Sequence, residues 1–323
     1  MSEHVHFAYR LGAARPSDLT DHDEIAEAVR HDDPAWLHLM ADHPETPGWI
    51  DEYLSFLDPA IREALTAAET RPRTRRIGSG VLVVLRGVNL NPGADPEDMV
   101  SLRLWVDPAR VVTLARRPLR SVDALKAEIE GGNGPRSAPA LLSAIIDRIV
   151  DRIEPVLTDL DDRTDELEEV VIDGPDARLR ETITDMRLQA AGFRRYLAPQ
   201  RDALGELGRL RLPWLEGPEQ SEIGENHDRM IRVVEEAESI RDRLQLIDGE
   251  LAGAVAERLN RNLYVLSMIS AIFLPLGFLT GLMGINLAGM PGAAWEPAFW
   301  VFTGGLAVLV GIVLLLLRRA RWL

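Results

Sequence analysis

Two hydrophobic, uncharged runs near the C-terminus constrain the fold of this 323-residue chain more than any other feature. The first carries no charge from 262 to 295, with its most apolar part at 263–285, and the second covers 297–317. A bilayer core about 30 Å thick is crossed by roughly 20 apolar residues in a helix, so each run is long enough to span. We therefore predict two transmembrane helices rather than a hairpin buried in a soluble core.

Basic residues flank the two runs on one side only. Arg258 and Arg261 precede the first run, and three arginines beginning at Arg318 follow the second, whereas the link at 287–296 has no Lys or Arg. By the positive-inside rule, both termini are predicted to be cytoplasmic and the link to lie outside.

The rest of the chain is acidic and lacks cysteine. Residues 1–262 carry 50 acidic and 33 basic side chains, a net charge of −17. Such a charge argues against nucleic-acid binding and favours cations or proteins as partners. Zero cysteines exclude disulfides, thiolate metal clusters and a cysteine nucleophile. Lys126 is the only lysine, and the Gly-rich phosphate loop, the His-Glu-x-x-His motif and the Gly-x-Ser-x-Gly motif are all missing from the sequence, so we do not expect an enzyme.

Periodicity divides the acidic part into an α/β unit followed by helices. β-rich segments are predicted at 5–11, 36–40, 81–89 and 99–114, the last with a turn at 107–110, and helices among them at 17–30, 49–56 and 59–68. Further helices are predicted at 120–130, 140–172 and 176–204. A last helical pattern extends from about Ser221 to about Leu282 without a stop signal, so it joins a stalk to the first span.

The stalk has an apolar seam with alternating steps of three and four residues, which predicts packing against the preceding helices. Its members are Met230, Val233, Ala237, Ile240, Leu244, Ile247, Leu251 and Ala254. The predicted organisation is a cytoplasmic α/β domain at 1–118, a cytoplasmic helical region at 119–217, a stalk helix at 218–262, transmembrane helix 1 at 263–285, a periplasmic loop at 286–296, transmembrane helix 2 at 297–317 and a cytoplasmic tail at 318–323.

A second stripe follows another face of the same helix. Its side chains are small, polar or modestly apolar in the span and polar to acidic in the stalk. Its members are Gly284, Gly281, Gly277, Leu274, Ser270, Ser267, Leu263, Asn260, Ala256, Gly253, Gly249, Leu246, Asp242, Ser239 and Glu235. Copies that surround an axis with this stripe inward would line a narrow pore below an electronegative entrance. Small residues also let helices approach closely without any pore, and the stripe alone leaves both interpretations open.

The first span ends in the sequence Phe-Leu-Thr-Gly-Leu-Met-Gly-Ile-Asn at 278–286. At this position, after a long stalk and before a short Pro-containing link, it resembles the Gly-Met-Asn signature of the CorA family of divalent-metal transporters. The Gly-Ile-Asn variant, the Gly-Met-Pro-Gly sequence at 289–292 and the closing Arg-Trp-Leu at 321–323 most resemble the zinc-transporting ZntB branch.

The resemblance implies an α+β membrane protein that assembles as a funnel-shaped homopentamer in the bacterial inner membrane. Five first-span helices would surround the pore, and Gly284, Ile285 and Asn286 would form the selectivity motif at its outer mouth. An amide oxygen can hydrogen-bond the water shell of a divalent ion without stripping it, whereas a carboxylate ring would hold the ion more tightly. Asn286 can also act as a helix C-cap.

The family's pore-lining positions fall on Asn260, Ser267, Ser270 and Gly277, and its apolar gate on Leu263 and Leu274. Gly277 stands where magnesium-type members commonly carry a hydroxyl, and Gly249 where they carry a magnesium-sensing acid, so these departures favour zinc. Zn²⁺ is therefore the expected cargo, with Co²⁺, Mg²⁺, Ni²⁺ and Cd²⁺ left open. Copies of the chain, divalent cations and membrane lipid are the expected partners, and no prosthetic group is expected.

Weaker candidates lie outside the spans. Glu235, Asp242 and His227 on the stalk could attract cations. The acidic run at 159–169 lacks calcium-loop spacing, and is either a solvated helix face or a cation-concentrating surface. Six histidines crowd the first 43 residues; imidazole suits zinc, but the residues scatter over separate predicted elements, so their role stays open.

Two alternatives remain beside zinc transport. A magnesium or cobalt transporter belongs to the same class and differs in ion preference. A membrane-anchored sensor or scaffold belongs to another class, in which the two spans only tether the acidic body.

Overall fold

The computed structural model describes residues 4–12, 17–67, 71–285 and 295–319. The chain divides into two compact units. The first contains Met1–Gly174 and Arg178–Gly249, and the second contains Pro175–Ala177 and Glu250–Leu323. The first unit holds a seven-stranded sheet with its covering helices, and the second holds the apolar helical segments.

The sheet has the strand order β2-β1-β3-β7-β6-β5-β4. Its strands are β1 (Val5–Arg10), β2 (Ser17–Asp18), β3 (Ala35–Met40), β4 (Arg73–Ile77), β5 (Gly80–Gly87), β6 (Val100–Val106) and β7 (Arg110–Ala115). β3 and β7 pair in parallel, and the other neighbours pair antiparallel. β6 is buried along its whole length, as expected for a central strand covered on both faces.

Three short helices pack with one face of the sheet. They are α1 (His22–Arg30), α2 (Thr46–Tyr53) and α3 (Pro59–Thr66). The Asp21 carboxylate caps α1 by accepting hydrogen bonds from the backbone N–H groups of Asp23 and Glu24, at 3.0 and 3.2 Å. A buried core that includes Ile25 and Ile50 joins these helices to β1 and β3.

Longer helices pack with the sheet and with one another. They are α4 (Arg120–Glu130), α5 (Ala138–Asp173), α6 (Leu179–Arg209) and α7 (Pro218–Met283); α8 (Ala298–Arg319) is the last described helix. Thr74 of β4 donates a hydrogen bond to the Ala203 carbonyl of α6 at 2.8 Å. The predicted seam of α7 is confirmed, because seven of its members, from Met230 to Leu251, are buried.

The structure corrects two expectations for the α/β unit. The helix predicted at 17–30 is shorter, because Asp21 caps it and Ser17–Asp18 pairs with β1 as β2. β4 was not predicted, because three of its five residues are arginines; as an edge strand it needs no apolar face on its outer side. The continuous helix predicted from about 221 to about 282 is confirmed as α7, and the helix predicted at 120–130 as α4.

A buried histidine sits in the centre of the sheet. Nδ1 of His38 on β3 lies 2.8 Å from Oγ1 of Thr113, and its ring stacks on Phe7 with 5.0 Å between centroids. Burial, followed by the positive charges of His6 and Lys126, lowers the pKa of His38 from 6.5 to about 3. The folded chain therefore keeps this imidazole neutral.

We predict that acidification destabilises the fold through His38. Because the folded pKa lies below the unfolded one, the stabilisation is complete above about pH 6.5 and is lost as the pH falls towards 3. From about pH 7 to about pH 5, His38 should remove roughly 2 kcal/mol of the free energy of unfolding. Thermal unfolding of the full chain in detergent at both pH values measures the loss.

The matched variant for this experiment is His38→Leu. Thr113 keeps hydrogen bonds to Trp36 Nε1 at 2.9 Å and to the Leu37 carbonyl at 3.1 Å, so the substitution leaves its hydroxyl satisfied. The variant should lose less stability on acidification than the wild type. An unchanged pH dependence would contradict the assignment to His38.

Candidate functional site

α7 and α8 both contain stretches long and apolar enough to cross a membrane. In the most apolar stretch of α7 none of the residues is buried, and in that of α8 only 6% are. The core helix of a soluble protein would be mostly covered by its own chain. The exposure therefore fits helices that face lipid or other protein copies, and it disfavours the buried hairpin.

The predicted pore positions share one exposed face of α7. At 100° per residue, Asn260, Leu263, Ser267, Ser270, Leu274 and Gly277 fall within an arc of about 100°. The apolar pair of this face, Leu263 and Leu274, is 51% and 76% exposed. The hydroxyl of Ser270 donates a hydrogen bond to the Leu266 carbonyl at 2.8 Å, which satisfies its proton within the helix and leaves its oxygen as an acceptor.

The predicted selectivity motif begins where α7 ends. The Gly284 N–H donates to the Thr280 carbonyl at 3.0 Å and to the Gly281 carbonyl at 3.2 Å, which closes the last turn. Ile285 is 45% exposed. Asn286 and the link sequence lie outside the described residues, so the entrance ring and the C-cap interpretation stay predictions.

The three weaker stalk candidates have different surroundings. His227 packs so closely against α6 that a methyl group added at Gly205 would lie 2.8 Å from its Nε2 atom. Asp242 accepts a hydrogen bond from its neighbour Arg241 at 2.7 Å, and Glu235 is exposed. Within the part of the chain that the structure describes, none of these three belongs to a group of His, Asp or Glu side chains whose ligand atoms are close enough to share one metal ion.

Two arginines of α7 connect it to α5, and sequence reasoning missed them. Arg229 contacts Asp147, Asp151 and Glu154, with N–O distances of 3.0, 2.6 and 2.8 Å. The hydrogen bonds to Glu154 and the other carboxylates raise the pKa of Arg229.

Arg243 repeats the same arrangement fourteen residues later. It contacts Asp161 at 2.8 Å, Asp165, and Glu168 at 3.1 Å. Both the arginines and the acid triplets are offset by fourteen residues, so α5 and α7 run parallel in register here. Part of the acidic run at 159–169 therefore faces α7. The shared spacing of fourteen residues between the arginines and between the acids is the sequence signal that could have predicted this contact.

We predict that Arg229→Met destabilises the first unit. Glu154 would lose the arginine that it contacts, while Asp147 and Asp151 would keep only Arg148, at 2.9 and 3.7 Å. The increased repulsion among the three carboxylates should cost about 1–3 kcal/mol in the free energy of unfolding. Thermal unfolding of the full chain in detergent should show a lower Tm. Arg241→Met is the matched control, because Arg241 bonds to the adjacent Asp242 on its own helix; equal effects of both variants would contradict a bridging role.

Comparison with known proteins decides the family. The family described as CorA-like Mg2+ transporter protein matches residues 31–319. The chain belongs to the CorA-like family of metal-ion transporters. Its fold agrees with this membership: an N-terminal α/β domain, a long helix and two C-terminal apolar helices.

Individual relatives within the CorA-like family cover nearly the whole chain. The chain is 38% identical over 293 residues to the divalent cation transporter CmaX of Pseudomonas aeruginosa, covering 89% of this chain and 87% of that protein. It is 33% identical to the zinc transport protein ZntB of Klebsiella pneumoniae, covering 97% and 93%. A solved structure of full-length CmaX matches with a TM-score of 0.86 and 34% identity, covering 100% of this chain and 99% of that one.

Proposed function

We propose that this CorA-like chain transports divalent metal cations across a membrane, with Zn²⁺ as its main cargo. The observation that carries this proposal is the match to zinc transport proteins along almost the entire chain, together with two uncovered apolar helices. The absence of a hydroxyl at Gly277 and of an acid at Gly249 adds support for zinc over magnesium.

We further propose that five copies form the pathway. A single chain leaves the polar stripe of α7 and the apolar residues around it exposed, and these surfaces need different neighbours. Placing the stripe of five chains around an axis gives polar groups a water-filled lumen, while apolar side chains face lipid or neighbouring helices. The homopentamer itself is what the family resemblance implies.

The lining suits an ion that moves with its water shell. Asn260, Ser267 and Ser270 offer neutral oxygen atoms, which hydrogen-bond coordinated water without binding the metal directly. The entrance ring of Asn286 would act in the same way. Leu263 and Leu274 would form apolar rings that block ions when the pore narrows and loses its water.

The proposed setting is the bacterial inner membrane, with both termini in the cytoplasm. The spans at 263–285 and 297–317 contain no charged residue, so they offer no carboxylate for a proton relay within the bilayer. Any coupling to protons would have to use groups outside the spans.

Zinc uptake into proteoliposomes loaded with a zinc-responsive dye tests the function. Wild-type protein should give zinc flux that excess magnesium barely inhibits. Asn286→Ala should reduce the flux about tenfold or more, because a methyl group cannot hydrogen-bond the hydrated ion. Asn262→Ala is the matched control, since Asn262 lies off the stripe, about 160° from Asn260 around α7.

Other outcomes separate the alternatives. Strong competition by magnesium would indicate a magnesium or cobalt transporter. The absence of any metal flux in vesicles with correctly assembled protein would favour the anchored sensor or scaffold.

Single cysteines test the pore-lining face, and the native chain has no cysteine to interfere. Ser270→Cys should react with a membrane-impermeant thiol reagent, because a thiol in a water-filled lumen can ionise to the reactive thiolate. Ile272→Cys, about 160° away on the helix at nearly the same depth, should stay unreactive in an apolar environment. Equal reactivity of the two variants would contradict the assigned face.

A further inference from the structure

Four potential metal ligands from separate segments meet at one corner of the α/β domain. His4 lies directly before β1, and His22 is the first residue of α1. His43 and Glu45 belong to the connection between β3 and α2. Chain reversals in the fold therefore bring together three of the histidines that crowd the first 43 residues of the sequence.

The ligand atoms of three of these residues are already close. One ligand atom each of His4, His43 and Glu45 lies within 4.8 Å of the others. Ligands at about 2.0–2.2 Å from a tetrahedral zinc lie about 3.3–3.6 Å apart, so a small side-chain contraction would complete the site. Glu45 is exposed and His43 half-buried, which leaves room for that movement.

His4 supplies the observation that points to a ligand. His4 is only 3% exposed, yet its Nε2 atom has no hydrogen-bond partner among the described residues. Its Nδ1 atom lies 3.3 Å from Oε2 of Glu45, within ion-pair distance. Leaving a buried polar group unsatisfied is unfavourable. A metal ion bound to Nε2 would satisfy it.

His22 borders these three residues without joining them. Its ring centroid is 5.4 Å from that of His4, and the His43 centroid is 5.5 Å from that of His4. The indole N–H of Trp49 donates to Nδ1 of His22 at 3.3 Å, and the ring meets Tyr53 edge-on. Because Nδ1 accepts this hydrogen bond, the proton of a neutral His22 ring lies on Nε2, so His22 packs against the cluster and is not counted as a ligand.

We propose that His4, His43 and Glu45 form a zinc-binding site in the α/β domain, with water as the fourth ligand. Two imidazoles and one carboxylate suit Zn²⁺ and also Co²⁺ or Ni²⁺, whereas Mg²⁺ prefers oxygen ligands and retained water. The site is separate from the proposed pathway and does not depend on it.

Metal binding at this corner would tie the start of β1 to the connection before α2. Zinc should therefore raise the Tm of the folded chain.

Cobalt titration of the full chain in detergent tests the site, because Co²⁺ in a tetrahedral nitrogen and oxygen environment has intense visible absorption bands. All variants carry Asn286→Ala, which removes the proposed ion contact at the pore mouth. The protein that carries Asn286→Ala alone should show these bands. It should lose them on addition of zinc but not of magnesium, and zinc should raise its Tm.

The test variant is His43→Ala with Glu45→Gln, both outside the buried core. It should bind cobalt more than about tenfold more weakly and lose the zinc-dependent rise in Tm. An unchanged Tm without metal shows that it is folded. His31→Ala is the matched control, because His31 is an exposed histidine next to Glu27 and away from the cluster.

Unchanged cobalt binding in the His43→Ala, Glu45→Gln variant would overturn the proposal, as would equal losses in His31→Ala. Zinc flux is measured separately in a His43→Ala, Glu45→Gln variant that retains Asn286, to show whether transport persists without the site. The two proposals can therefore fail independently.

Discussion

Along its length, α7 changes from a helix suited to water to one suited to lipid. From Met230 to Leu251 the helix buries an apolar seam, as a helix in water must. From 262 onwards it has no charge and is exposed within its own chain, as a helix in lipid can be. One unbroken helix satisfies both environments because its apolar surface widens from a narrow seam to most of the circumference, with the stripe on the remaining face.

The paired arginines fix how the stalk part of α7 is rotated. Arg229 and Arg243 each meet three carboxylates of α5, and their shared spacing of fourteen residues sets the register between the two helices. The buried seam is thereby held inward, and stripe positions such as Asp242 and Leu246 remain exposed within the same unit. Contacts far from the spans thus decide which face of the stalk stays exposed.

The sequence predicts those features that depend on composition or on the period of one element. The spans, the stalk seam and the main strands belong to this class. Features that require two elements in register were missed, such as the link from Arg229 to α5 and the corner formed by His4 and His43. For His4, a register shift between Val5 and Phe7 adds to the difficulty, because regular alternation would have grouped it with His6 instead. The residues of the proposed entrance ring rest on the family signature rather than on periodicity.

We propose that metal ions cross the membrane along the stripe of α7. Zinc flux through reconstituted Ser270→Cys protein, measured before and after complete modification with a bulky thiol reagent and beside Ile272→Cys, tests this pathway. Modification should stop flux through Ser270→Cys and leave flux through Ile272→Cys unchanged. Full flux through completely modified Ser270→Cys protein would contradict it.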